Sequence, residues 1–214
     1  MRAAVRQSWG RGNGSHILIA DVFDPALSRY EGRSLSDIAR AEGKDPVDAL
    51  LDLVIADRGR TSRITFTMSE EDIRTALRHP LVSICTDSGA SAEDGIFRTK
   101  RGHPRGWGTM ARILGRYVRE EKLIPLEEAV RKMTSLPAAR MRLLGRGSLK
   151  AGHFADIVAF DPKTVADRST YAHPWAYSAG IPYVAVNGQL VVDGGRITAA
   201  RPGRVLRGPG WKPR

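Results

Sequence analysis

Leu81-Val-Ser-Ile-Cys-Thr-Asp-Ser-Gly89 sets a short, mostly apolar run against a polar turn. A run of this length fits a buried strand. Thr86 and Asp87 then fall just past its end, and Ser88-Gly89 are residues that tolerate a sharp turn. A carboxylate at the C-terminal end of a buried strand is where α/β barrels place catalytic groups. Read alone, Asp87 could equally cap the turn, so the flanking sequence has to decide.

Upstream, the pattern alternates. His16–Val22, HILIADV, is apolar and is broken by Asp24-Pro25, as a buried strand would be. Ser34 with Asp37 three residues on forms a capping box. Leu35, Ile38 and Ala39 share one face of the helix that follows, and Gly43 stops it. Asp45-Pro46 opens a second helix, since proline is tolerated at the first helical position. Its apolar stripe is Val47, Leu50, Leu51, Val54 and Ile55. ITFTM at Ile64–Met68 alternates like a strand, and Ser69 to Asp72 open a short helix that His79-Pro80 ends. This alternation predicts an α/β fold with buried, parallel-type strands. Residues 1–15, rich in Gly and Arg and without periodicity, read as a loose basic lead-in.

Downstream of Asp87 a polar loop runs to Trp107 and holds Arg98, Lys100, Arg101 and His103-Pro104-Arg105. Long loops inside compact domains are usually functional or disordered. Helices follow around Met110–Val118 and Pro125–Met133, the second with Leu126, Ala129, Val130 and Met133 inward, and a short third one ends near Gly145. After Gly147 the pattern turns to β. ADIVAF at Ala155–Phe160 is a strand, and Tyr183–Val186 and Gln189–Val192 flank Asn187-Gly188. Asn-Gly is a strong hairpin signal, because both turn positions need positive φ. About three strands are thin for an independent sheet.

Composition narrows the class. The chain has 214 residues and a net charge of +11. The nineteen residues from Arg196 on hold six basic groups and no acid, and Met1–Ala20 hold three and no acid, so the charge sits at the two ends. The arginines lack the interleaved aromatics of a stacking platform, which argues against nucleic acid. No apolar run approaches the roughly 18 residues of a membrane span, and the N-terminus lacks the apolar core of a secretory signal. The single cysteine, Cys85, can build neither an internal disulfide nor a cysteine-based metal site. It fits core filling in a reducing cytoplasm, and a cytoplasmic protein is the expectation.

TDSGA at Thr86–Ala90, HPRGWGTMARILGRYVRE at His103–Glu120 and LEEAVRKMTSLPAARM at Leu126–Met141 resemble the amidohydrolase superfamily, in its D-aminoacylase (N-acyl-D-amino-acid deacylase) branch. GRSLSDIARAEGKDPVDALLDL upstream, and RGSLKAGHFADIVAFDP and GIPYVAVNGQLVVDGG downstream, continue the match in order. The resemblance implies the C-terminal part of a metal-dependent (β/α)8 barrel, over residues 16–145. Part of a small antiparallel β-domain over residues 146–195 and a basic tail over 196–214 complete the expected layout. It implies a zinc-dependent hydrolase of linear amide C–N bonds other than peptide bonds, acting on small N-acyl amino acids. In such enzymes an Asp ending the last barrel strand ligates or faces the metal and moves a proton from metal-bound water to the leaving amine. Asp87 stands at that place. Arg105 is the candidate anchor for the substrate carboxylate, which a guanidinium binds bidentately. His103 is the candidate to order the loop or touch substrate.

One feature departs from that family. Its metal is held by a His-x-His pair and further histidines, yet this chain has no His-x-His, and His16, His79, His103, His153 and His173 are scattered. Apart from Asp87 the metal ligands are missing, so zinc binding by this chain alone is not expected. The sequence reads as a C-terminal piece that is inactive alone, from a truncated frame or from an enzyme whose N-terminal half is a separate chain. A non-catalytic structural remnant and a basic polyanion-binding module are the alternatives. A piece of a barrel leaves strand edges unpaired, so the isolated chain is expected to be marginally stable, to aggregate or to need a partner. A cooperative unfolding transition in a clean monomer contradicts this.

Overall fold

Helix-capping chemistry and two separate apolar clusters organise the chain, seen in a computed structural model that describes residues 2–9, 14–89, 92 and 102–212. It divides into two units that are discontinuous in sequence. The first comprises Met1–Ser69, Ala90–Pro104 and Thr170–Trp175, and the second Glu70–Gly89, Arg105–Ser169 and Ala176–Arg214. The expected divisions at residues 15/16 and 145/146 are not where these units part.

In the first unit, α1 (Arg2–Trp9) replaces the loose lead-in expected there. Ala3, Ala4 and Gln7 are good helix formers, and Val5 gives the helix an apolar contact with the unit's core. β1 (Ile17–Asp21) buries Ile17 and Ile19 completely. After a 3₁₀ turn over Pro25–Tyr30, α2 (Leu35–Glu42) starts as its sequence requires. Ser34 Oγ accepts the Asp37 N–H, and Gly43 closes the helix at φ 63°. α3 (Pro46–Ala56) starts from Asp45, whose side chain accepts the Val47 N–H at 2.9 Å. A cap is worth about 1 kcal/mol, whereas each buried Leu or Ile contributes about 1.5–3 kcal/mol. Leu35, Ile38, Leu50 and Leu53 are all buried, so packing on β1 holds these helices and the caps set only where they begin.

β2 (Ser62–Thr65) pairs with β1 antiparallel, Leu18 opposite Ile64, and not in the parallel manner expected. One crossover helix returns a chain to its starting end and gives parallel strands. Here two helices intervene, and the second brings the chain back to the opposite end. The Phe66 N–H still reaches His16 O at 2.8 Å, so Phe66 extends the contact beyond the strand.

In the second unit, α4 (Glu70–Arg78), α5 (Arg105–Arg112), α6 (Leu126–Met133) and α7 (Ser135–Arg140) are helical as expected, and α5 begins five residues before Met110. α5 continues into a π-helical stretch, Ile113–Glu120, closed by Glu121 N–H to Arg116 O at 2.8 Å. A Cβ on Gly115 would stand 2.7 Å from Val165 O, so only glycine lets the 162–166 backbone lie against this stretch. Arg119 Nη1 then takes the Val165 carbonyl at 2.6 Å. The shared core is Leu77, Ala111, Ile113, Leu114, Tyr117, Ile124, Ala129 and Val165.

Leu81–Cys85 is not a strand, contrary to the buried strand its composition predicts. Among the described residues there are two sheets, and this segment joins neither. A strand exists only with a neighbour to take its ladder bonds. The segment bonds to helix α6 instead.

The second sheet is an antiparallel meander of β3 (Ile157–Ala159), β4 (Tyr183–Val186), β5 (Gln189–Asp193) and β6 (Arg196–Ile197). The hairpin at Asn187-Gly188 has φ of 49° and 81°, as its dipeptide demands. Asn187 is also pinned by its side chain: Arg146 Nη2 donates to Oδ1 at 2.6 Å, and Nδ2 donates to Pro202 O at 2.7 Å. β6 lies inside what the sequence presented as basic tail. No helix among the described residues is long and apolar enough to cross a membrane.

Among the described residues of the first unit one charge is buried, Asp57, 1% exposed. Its Oδ1 accepts the N–H groups of Phe23 (2.9 Å) and Asp24 (2.8 Å), and Oδ2 accepts Thr61 Oγ1 at 2.9 Å. Burial pushes its pKa up, but the N–H groups of Asp24 and Phe23 and the Thr61 hydroxyl outweigh it and hold the carboxyl below its ordinary 3.8. Asp57→Ala leaves two N–H groups without acceptors and should cost about 2–4 kcal/mol in denaturant melts. Because the folded pKa is depressed, the charged form's contribution is present above pH 3.8 and lost as pH falls through the folded value. The stability gap between wild type and Asp57→Asn should therefore shrink under acid. A gap that stays constant from pH 7 to pH 2 contradicts this assignment.

Candidate active site around Asp87

The segment that leads to Asp87 is held from one side by α6. Lys132 is wholly buried on that helix, and its Nζ donates to the carbonyls of His79 and of Val82, the latter at 3.1 Å. The Ile84 N–H donates back to Lys132 O at 3.1 Å. That oxygen is one of the carbonyls a helix end leaves without an internal partner. Arg131, next in the same turn, donates from Nη2 to Pro80 O at 2.6 Å and grips Glu128 through two bonds of 2.6 and 2.7 Å. The hydrogen bonds from Arg131 hold the Glu128 carboxyl down to about 2. Ile84 packs into the unit's core, while Leu81 and Cys85 are exposed.

Beyond Ile84 the chain turns outward. Asp87 adopts φ 46°, a left-handed conformation that few residues other than Gly, Asn and Asp take. Its carboxylate is exposed, and Arg105 Nη2 lies 3.2 Å from Oδ2. Arg105 is the first residue of α5 rather than a loop residue. A cation at a helix N-terminus opposes the macrodipole, and a carboxylate there is favourable by about 0.3–1 kcal/mol. Asp87 therefore suits that end of α5 and offsets the misplaced charge of Arg105. Gly106 makes the approach possible, since a Cβ there would stand 2.7 Å from Ser88 Oγ. An exposed pair of this kind is worth about 0–1 kcal/mol, so it orients two groups without locking them.

His103 belongs to the first unit. Its ring meets Tyr171 edge-on, centroids 5.2 Å apart, and Tyr171 meets Phe66 in the same way at 4.8 Å. Asp87 and Arg105 are thus brought together, and His103 stands in a separate aromatic group. Arg98, Lys100 and Arg101 of the polar loop lie outside the described residues.

Two features of the second unit were not anticipated. One is Lys132. The other is an ion-pair network on α4 and the α5–π helix. Arg74 and Arg116 both bond Glu121, Arg116 and Arg112 approach Glu70 at 3.3 and 3.5 Å, and Tyr117 Oη donates to Glu70 at 2.9 Å. Bonds from Arg74 and then Arg116 hold Glu121 down to about 2, while burial and Glu70 push the Tyr117 hydroxyl up. Its cations and carboxylates satisfy each other, so it serves as a brace between helices. The spacing Glu70–Arg74 at i,i+4 signalled part of it.

Among the described residues no three His, Cys, Asp or Glu side chains gather closely enough to hold a metal. Zinc needs three or four such ligands. The Asp87 carboxylate faces Arg105, and by itself it does not make a zinc site.

With this geometry in hand, likeness to known proteins is specific. The amidohydrolase family model matches residues 3–192. The chain is 44% identical over 182 residues to the D-aminoacylase of Alcaligenes xylosoxydans xylosoxydans, covering 85% of this chain and 34% of that protein. To the N-acyl-D-glutamate deacylase of the same organism it is 42% identical, over 82% of this chain and 33% of that one. The crystal structure of N-acyl-D-glutamate deacylase from Bordetella bronchiseptica, complexed with zinc and a phosphonate inhibitor, superposes with a TM-score of 0.77 at 38% identity. That superposition covers 90% of this chain and 38% of that one. The expected fold class is thereby borne out: the chain takes the form of the matching part of a barrel enzyme. It spans about a third of the length of the curated relatives it matches. The chain belongs to the amidohydrolase family.

Proposed function

We propose that this chain carries part of the active site of a metal-dependent N-acyl-D-amino-acid deacylase, which hydrolyses a linear amide C–N bond other than a peptide bond. The observation that carries this reading is the Asp87–Arg105 pair, 3.2 Å apart at the mouth of a sharp turn. It lies within residues 3–192, which the amidohydrolase family model matches. Hydrolysis adds water across the amide and releases a carboxylate and an amine. Asp87 serves as the group that accepts a proton from the attacking water and delivers it to the leaving nitrogen. Its exposure leaves it open to substrate.

Arg105 anchors the carboxylate of the N-acyl amino acid. In the free protein Asp87 occupies that guanidinium. A substrate carboxylate has the same geometry and can replace it, because an exposed pair is held by no more than about 1 kcal/mol. Anchoring and freeing of Asp87 then occur in one step. His103, packed on Tyr171, is assigned to ordering residues 102–104. The ligands that would bind zinc come from outside the described residues, so the remaining polypeptide of the enzyme is the partner this reading requires.

The test is hydrolysis of N-acetyl-D-glutamate and its L-isomer by the purified chain with zinc, alone and mixed with the remaining two-thirds of the Alcaligenes D-aminoacylase supplied as a separate polypeptide. D-selective release of amino acid is expected in the mixture, and no hydrolysis in either arrangement refutes the deacylase reading. In the active mixture Asp87→Ala should lower kcat by about 10²–10⁴-fold, and unchanged turnover removes its proton-carrying role. Arg105→Ala should raise KM for the free-carboxylate substrate about tenfold more than for its amide-capped analogue. Equal effects on both substrates remove the anchor.

A further inference from the structure

Lys132 is wholly buried, although lysine is rarely buried without groups that replace its water shell. Those groups are unusual here. They are the backbone carbonyls of His79 and Val82, with Glu128 Oε1 at 3.6 Å. The carbonyl of the same residue holds the Ile84 N–H. One residue therefore grips the chain at positions 79, 82 and 84, and the last grip lies three residues before Asp87.

Packing alone does not call for this. Residues of the same helix that only fill the core are apolar, as Ala129 and Leu126 are. An apolar side chain as long as lysine would fill the same volume without desolvating an amino group. What it could not do is bind two carbonyls of a segment that has no strand neighbour among the described residues. Without those bonds the Val82 carbonyl would turn to water and the His79 carbonyl would keep only the Val82 N–H of its own turn, at 3.1 Å, so the path from Pro80 to Asp87 would have more conformations.

We propose that Lys132 is a positioning residue for Asp87: it fixes the course of residues 79–84 and so sets where the Asp87 turn meets Arg105. The catalytic significance of that position rests on the deacylase reading; the tether itself does not.

Cys85 supplies a probe. It is the only cysteine, it is exposed, and it lies two residues before Asp87. A nitroxide attached to Cys85 of the full chain reports local mobility in its electron paramagnetic resonance spectrum. An ordered, broad wild-type spectrum is expected. Lys132→Met keeps the bulk and loses the donors, and it should give a narrow, mobile spectrum well below its unfolding temperature. Lys132→Gln, which retains one donor head, should fall between the two and serves if the methionine variant does not fold. Leu126→Ala, which weakens the same helix through core packing alone, should leave the spectrum ordered. A mobile wild-type spectrum overturns the proposal. So does an unchanged Lys132→Met spectrum, or equal loosening by Leu126→Ala. In the two-polypeptide deacylase assay Lys132→Met should lower kcat by about ten- to a hundredfold with KM nearly constant, and a rise in KM at constant kcat counts against positioning. Absence of hydrolysis by the wild type would refute the deacylase reading, while the spectra would still decide the role of Lys132.

Discussion

The bonds between α6 and residues 79–84 are the constraint on which the candidate site depends. A chain segment that belongs to no sheet has to place its backbone groups somewhere. Here Lys132 Nζ takes two carbonyls, Lys132 O takes one N–H, and Arg131 takes the Pro80 carbonyl. The helix end thereby does for this segment what a neighbouring strand would do. Ile84 is drawn into the core, Cys85 is left outside, and Asp87 emerges at a left-handed turn beside the start of α5.

The rest of the second unit supports that arrangement by fixing the two helices that flank it. Glu128 and Arg131 stiffen α6 from within, so that the turn carrying Lys132 is itself braced. Gly106 brings the first turn of α5 against Ser88, and Gly115 brings the 162–166 backbone against the π-helical stretch. Arg74, Arg112 and Arg116 tie α4 to that stretch through Glu70 and Glu121. None of these surface pairs is worth much singly. As a network they hold α4 against the end of α5 and the π-helical stretch.

Much of this was legible in the sequence because it depends on local chemistry. Ser34 starts α2, Gly43 ends it, Asp45-Pro46 opens α3, and Asn187-Gly188 turns the hairpin, each through partners within four positions. Asp87 was singled out as a candidate because an apolar run ends in a turn there and the flanking blocks resemble the deacylase branch. What failed depends on distant partners. Leu81–Cys85 has strand composition, but composition cannot supply the neighbour that makes a strand. The direction of β2 depends on how two helices pack. Helical periodicity placed Val130 inward, yet Val130 is 37% exposed while Lys132 is 0% exposed. An apolarity scale ranks lysine last for such a place, and only the carbonyls of residues 79 and 82 make it favourable. The lysine of the KMTSLPA run was therefore invisible to any reading that sorts residues into apolar and polar.

Hydrogen exchange of the Ile84 amide in the full wild-type chain tests the tether most directly, because that N–H has a single acceptor, Lys132 O, on a different element. Exchange slowed by about a hundredfold or more relative to an unstructured peptide is the result expected of a formed tether. Exchange at the unstructured rate, under conditions where the α6 amides stay protected, would show that the segment leading to Asp87 is not held by this helix.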